Sequence, residues 1–430
     1  HIAMKVAKNC RYVEPQFTLR FDKDTSEEIW DEALDALGAG ATYPTLYNDD
    51  VNVPAVMYGM RVDEKAAEQY VPFGCTEFVI QGQSTGTPNI CINLLKLLTI
   101  YMNDGIDPID GKRKSGPVSL KKLEEYQTFE EFYDGYKALL DYYLDLSVKA
   151  QYHSYEVMNQ HVSFLFTSLL TDDCIARGKA LLDGGVRYLG GTNETYGNIN
   201  TSDSLWVIRD LVFNQKKYTL RQLNDAMLAN FNGYEALRKD CLNCDKYGND
   251  LETADTMAND LYEFVAKGVR NRGIAIGMQY FLIVISNNQL NTEWGNRTAA
   301  SPDGRLSCMY MNPANNPQGG ANKSGPTAML NSLAKFDAKY HGGSVQNIKF
   351  SPSMFNENRA VIKSLFKTYF AKGGCHLMVT VVDKGVLEDA VEHPENYPDL
   401  IVRVSGFSAV FVDLSPNIQQ ELLSRVLYDK

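Results

Sequence analysis

Two short stretches of this chain carry residue types suited to chemistry, and they lie more than three hundred positions apart. The first is Gln69-Tyr70-Val71-Pro72-Phe73-Gly74-Cys75-Thr76-Glu77-Phe78. Pro72 and Gly74 punctuate a turn, which sets Cys75 at a loop tip rather than inside an element. Residues two apart on an extended segment project to the same side, so the Cys75 sulfur and the Glu77 carboxyl can face one ligand. No Lys or Arg occurs between Lys65 and Lys96, so nothing nearby in sequence would lower the thiol pKa as a nucleophilic cysteine requires. A buried, inert thiol is the ordinary alternative. The second stretch is Arg403-Val404-Ser405-Gly406-Phe407-Ser408-Ala409. A glycine between β-favouring flanks marks a very close approach, an unusual φ or a plain bulge.

The elements that must position these stretches alternate along the chain. Residues 26–37 read as a helix capped by Asp24 or Thr25 and ended by Gly38. Residues 89–103 read as a helix descending from the Cys75 loop. Thr128-Phe129-Glu130-Glu131 is a capping box. It opens a long amphipathic helix whose stripe of Phe129, Phe132, Tyr133, Tyr136, Leu139, Leu140, Tyr143 and Leu144 is core packing. Further helices are expected over 173–182, over 202–213, after a second capping box at Thr219-Leu220-Arg221-Gln222, and over 254–269. Strands are expected over 274–285, 346–350 and 377–383, and the polar glycine run 190–197 reads as a connecting loop, with a site-lining loop as the alternative. Strands alternating with helices indicate an α/β fold with largely parallel pairing.

Composition narrows the function classes. The chain has 430 residues, 44% hydrophobic and 22% charged, as an enzyme-sized globular protein does. A net charge of −11 without a basic run argues against nucleic acid or an anionic membrane as partner. There is no run of eighteen apolar residues and no apolar signal core at the start, and eight scattered cysteines suit a reducing cytoplasm. Cys241-Leu242-Asn243-Cys244 has metal-like spacing but lacks a second ligand pair, so two free loop thiols are expected and no metal site is read. Gly38-Ala39-Gly40-Ala41 has no Gly-Lys-Ser/Thr after it, so nucleotide chemistry is not supported.

Together the two stretches resemble the active loops of the pyruvate formate-lyase-like glycyl radical enzymes. Phe73-Gly74-Cys75-Thr76-Glu77 is similar to the GCxE loop of the dehydratase and lyase branch, and the Gly406 stretch, with Asn396 to Leu400 before it, to the glycyl radical loop. Ala299 to Arg305 resembles the family's TPDGR-type turn, Gly325 to Ser332 its GPTA segment, Asn347 to Pro352 its N-x-KF-x-P strand, and Gly373 to Asp383 its glycine-histidine strand. By this resemblance Gly406 stores a radical, Cys75 becomes a thiyl radical that takes a hydrogen atom from substrate, and Glu77 is the acid/base. No cofactor is bound. A separate activating enzyme, using S-adenosylmethionine and an iron-sulfur cluster, installs the radical. The implied activity is anaerobic radical elimination on a small hydroxylated substrate. A decarboxylase, a formate-lyase, or a non-catalytic or repair half-protein is the alternative. Asn89 and His376 are candidate pocket residues whose structural reading is the simpler one. Thr76 and Phe78 depart from the more usual GCVEP.

Family members are about twice this length, and the resemblance aligns the chain with their C-terminal half. The implied fold is half of a ten-stranded β/α barrel with surrounding helices, over 1–355, and a C-terminal glycyl radical loop domain over 356–430. Exposed sheet edges and apolar helix faces are then expected, with a complementary N-terminal half or chain as partner and a dimer as the assembly.

Overall fold

The computed structural model describes residues 1–10, 12–86, 89–286 and 289–429. Its strands are β1 (Thr18–Phe21), β2 (Thr45–Asn48), β3 (Tyr70–Phe73), β4 (Glu77–Ile80), β5 (Asn89–Asn93), β6 (Gly190–Tyr196), β7 (Tyr280–Ile285), β8 (His341–Ser344), β9 (Asn347–Phe350), β10 (His376–Val381), β11 (Ile401–Arg403) and β12 (Ser408–Val410). β5, β6, β7 and β8 pair in parallel, in that order. β8 and β9 are one strand bent at Val345-Gln346. Val345 N still bonds Ile285 O of β7, at 2.8 Å, and Met378 N of β10 bonds Gln346 O, at 2.8 Å. β9 then pairs in parallel with β10. Five parallel strands result, as half of a ten-stranded barrel requires, and β2 and β1 extend the sheet beyond β10.

One face of this sheet is covered by long helices. Phe129–His161 and Glu252–Ala275 bury Phe132, Tyr136, Leu140, Leu261 and Val265 against Ile92, Phe281, Ile283 and Ile285. The predicted stripe is buried except for half-buried Tyr143, whose hydroxyl donates to Lys114 O. Only half of its capping box forms: Thr128 Oγ1 accepts from Glu131 N, but Glu131 turns to Gln127 N. At Thr219 both halves form with Gln222. A separate apolar cluster of Val382, Leu387, Val402, Val404, Phe411, Ile418 and Leu422 supports the C-terminal hairpin β11–β12. No helix among the described residues is long and apolar enough to cross a membrane.

Several sequence expectations need correction. The first predicted helix, Glu27–Gly38, is capped by Ser26, which accepts from Ile29 N, not by Asp24 or Thr25. Residues 89–103 split into β5 and the helix Leu94–Met102, because ladder pairing with β6 holds the first five residues extended. Residues 173–182 give one α-helical turn, Cys174–Arg177, stopped by Gly178 at φ 61°, and then enter a 3-10 turn, Leu181–Asp183. The helix expected over 202–213 starts at Asn198 and continues as a π-helix over Ile208–Asn214. Residues 274 and 275 end a helix, and Gly277 at φ 92° separates them from β7. Cys241 is buried within the helix Glu235–Asn243, and Cys244 caps it, so they are not loop thiols. Residues 190–196 of that run are β6, a fully buried central strand, and Gly197 at φ 69° ends it.

Candidate active site

β3 and β4 form an antiparallel hairpin in which Phe73 pairs with Glu77, leaving Gly74, Cys75 and Thr76 as its turn. So tight a link puts Gly74 at φ 55° and Thr76 at φ 151°. Gly74 adopts this without cost, but a β-branched residue at positive φ is strained by about 1–3 kcal/mol. The surroundings hold it there. Thr76 is 1% exposed, and its carbonyl lies where a Cβ on Gly343 of β8 would sit, 2.4 Å away. Cys75 emerges against Ala314, Val345 and Met378.

Gly406 sits at the turn between β11 and β12. An ideal Cβ built on Gly406 would lie 2.3 Å from Cys75 Cα, 2.3 Å from Cys75 Cβ and 2.6 Å from Cys75 Sγ. Gly406 is therefore required by close approach, one of the three readings its flanks allowed, and its α-carbon meets the Cys75 side chain directly. Two donors hold its carbonyl: Arg403 Nη2 and Gln16 Nε2, both at 3.1 Å. Arg403 is 1% exposed and also donates to Ser405 O at 2.7 Å and Ser408 Oγ at 3.2 Å. Burial lowers its pKa.

The Glu77 carboxylate folds back over Gly74, accepting from Thr76 N at 3.0 Å and from Asn89 Nδ2 at 3.2 Å. It is 4% exposed. Burial pushes its pKa up to about 7, with the Glu194 charge adding and the N–H groups of residues 75–77 opposing. Burial also raises the Cys75 thiol, and Glu77 and Glu194 raise it further, so the neutral S–H is the stable form. A thiol poised for nucleophilic attack would show the reverse. This arrangement suits hydrogen-atom transfer.

Three residues of this wall lie in the run 190–197, which the sequence offered as a connecting or site-lining loop. β6 turns Asn193 outward, where it donates to Ser147 of the long helix, and turns Thr192, Glu194 and Tyr196 inward. Asn89 faces them from β5. Its amide donates to Glu194 Oε1 at 2.8 Å as well as to Glu77, and its oxygen accepts from Thr192 Oγ1. Asn89 is thus a bridge in the site. His376 is buried on β10 with its ring edge-on to Tyr47, and burial holds its pKa well below the usual value, keeping it neutral. A period-two alternation of Thr192, Glu194 and Tyr196 was the available signal.

The pattern of the family described as Pyruvate formate lyase-like matches residues 1–290, two-thirds of the sequence. The chain belongs to that family. The pattern described as Glycine radical matches residues 311–412, which include Gly406. Among the pyruvate formate lyase-like relatives, the chain is 30% identical over 428 residues to the trans-4-hydroxy-L-proline dehydratase of Clostridioides difficile, covering 99% of this chain and 54% of that protein. It is 28% identical to the (2S)-3-sulfopropanediol dehydratase of Klebsiella oxytoca, covering 99% and 52%. In structure it is similar to the glycerol-bound B12-independent glycerol dehydratase of Clostridium butyricum, with a TM-score of 0.94 at 29% identity, over 100% of this chain and 54% of that one. The chain spans about half the length of the curated relatives it matches.

Proposed function

We propose that this chain is the catalytic C-terminal portion of a glycyl radical enzyme that eliminates a leaving group from a small hydroxylated substrate. The observation that carries the reading is the contact between the Gly406 α-carbon and the Cys75 side chain, with Glu77 beside them. A glycine α-carbon can flatten and share an unpaired electron with the adjoining amide nitrogen and carbonyl. Gly406 fits that role, its carbonyl already held by Arg403 and Gln16.

A separate radical S-adenosylmethionine enzyme would first remove a hydrogen atom from Gly406. The Cys75 S–H then gives its hydrogen atom to the Gly406 α-carbon, leaving the electron on sulfur. Cys75 takes a hydrogen atom from the substrate carbon that bears the hydroxyl, and Glu77 accepts the hydroxyl proton. The neighbouring leaving group departs, with the proton from Glu77 where it leaves as water. The product radical recovers a hydrogen atom from Cys75, which closes the cycle. A Glu77 pKa near 7 suits a group that must both take and return a proton.

The relatives' greater length supports a complementary N-terminal half that completes the barrel and encloses the substrate. The separate apolar cluster under β11–β12, from Val382 to Leu422, supports a glycyl radical unit in the later part of the proposed 356–430 domain, whose earlier part supplies β10 to the sheet and packs against the 1–355 core. The test is anaerobic activation of the chain, together with its complementary half and the activating enzyme, followed by electron paramagnetic resonance. A glycyl doublet that disappears in Gly406→Ala is the expected result. Its absence from the fully supplied wild type would sink the reading.

A further inference from the structure

The seam between the barrel strands and the C-terminal unit holds a cavity of about 50 Å³, several times the roughly 10–15 Å³ that one water needs. Ile348 and Lys349 of β9 and Thr380 of β10 wall one side, and Val402, Arg403 and Leu422 of the C-terminal unit wall the other. Gln318 and Gly319, both half-buried, belong to its rim and also line a cleft of about 520 Å³, which gives a route from solvent.

Two of these side chains are buried cations: Lys349 is 8% exposed and Arg403 1%. Lys349 donates to Leu422 O at 3.0 Å, and Arg403 to the Ser405 and Gly406 carbonyls and to Ser408 Oγ. All of these acceptors are neutral. Among the described residues no Asp or Glu lines the cavity. Glu421, close to Lys349 in charge terms, is engaged by Arg425 through two N–H groups, at 2.9 and 2.8 Å. Burial pushes the Lys349 amine down to about 8, with Arg425 adding and Glu421 opposing. A buried cation is costly unless opposite charge and hydrogen bonds compensate it, and here the chain offers hydrogen bonds alone.

We propose that this cavity binds a short-chain monocarboxylate, its oxygens on the Lys349 amine and its apolar end against Ile348, Val402 and Leu422, and that the bound anion fastens the C-terminal unit to the barrel. An ammonium has three N–H groups, so Lys349 can hold Leu422 O and a carboxylate together. The apolar walls favour a hydrocarbon tail over phosphate, whose further oxygens would lose their hydration there. A ligand lodged between β9 and Leu422 binds only while the unit is docked, so it stabilises docking by mass action. Arg403, on the same wall, holds the Gly406 carbonyl, so the ligand steadies the Gly406 loop as well.

The full chain, assembled with its complementary half and carrying no radical, is followed by amide hydrogen exchange while propionate, propionamide or inorganic phosphate is titrated at constant ionic strength. Propionate at about ten times its dissociation constant should slow exchange over residues 401–403 and 416–426 about tenfold, and more than propionamide or phosphate does. Lys349→Met and Lys349→Gln should both abolish that gain, with exchange in β6 and β7 unchanged. No slowing by propionate, equal slowing by propionamide, greater slowing by phosphate, or a propionate effect undiminished in both variants overturns the proposal. The wild-type contrast between propionate and propionamide decides the matter even where a variant fails to fold. None of these measurements needs the radical, so a missing paramagnetic doublet would reject the elimination reading and leave this one standing.

Discussion

At Gly406 the chain makes room by dispensing with a side chain, and outside donors pin the backbone: Arg403 and Gln16 on its own carbonyl, Arg403 again on Ser405. At Cys75 the chain keeps its side chains and bends the backbone instead, with Gly74 and Thr76 both at positive φ and Gly343 cleared to receive the Thr76 carbonyl. Both loops need glycine, for different reasons: contact in one, torsion and clearance in the other. A group that must meet a partner atom wants empty space, while a group that must aim a side chain wants a stiff support.

Four substitutions test that contrast. Gly406→Ala puts a methyl group within 2.3 Å of Cys75, so activity and the glycyl doublet should both vanish. Overpacking should cost about 1–3 kcal/mol, read by denaturant melts. Glu77→Gln removes a base but keeps the shape and the bond from Thr76 N, so turnover should fall by about 10²–10⁴ with little change in stability. In the wild type, kcat/KM should rise with pH through about 7, because the ionised carboxylate is the proposed base. That rise should be missing in the variant, and a limb that survives would move the base elsewhere. Gly343→Ala crowds Thr76 O and strains a residue at φ 144°. It should cost about 1–3 kcal/mol and lower activity, with the doublet retained. A normal rate from Gly343→Ala would mean the Cys75 turn needs no clearance. Gln16→Ala removes one of two donors from Gly406 O and should cost about 1 kcal/mol, visible as faster loss of the doublet.

Cys75, Glu77 and Gly406 were singled out by the resemblance of two short stretches to a family's loops, and the fold brings Gly406 against Cys75. A largely parallel α/β fold was legible in outline from alternating elements, and the half-barrel from the family resemblance. β6 was not, and its composition explains why. Gly190 and Gly191 are small because the rings of Tyr280 and Phe281 fill the space their side chains would take, within 2.2 and 2.6 Å of an ideal Cβ. Its inward face is polar because it lines the site. A buried parallel strand ordinarily reads as a run of Val, Ile and Leu, and this one reads as a turn. Asn89 was misread for a related reason: the Ile90 and Ile92 alternation is too short to stand out beside the apolar helix that follows, and pairing with β6 holds residues 89–93 extended. Neither Arg403 on the Gly406 carbonyl nor Gln16, nearly the whole chain away, could be inferred without the fold.

The bend between β8 and β9 has a consequence for what the chain can tolerate. Before it, Gly343 clears the way for Thr76 and Val345 packs under Cys75. After it, Ile348 and Phe350 face the helix-side core, while Asn347 and Lys349 turn toward Asn316 and the Leu422 carbonyl. Side chains alternate with a period of two, so a single residue inserted at 345–346 would swap those faces and drive Lys349 into hydrocarbon while the upstream half stayed put. Length at this bend is therefore as tightly specified as the identity of any reacting residue.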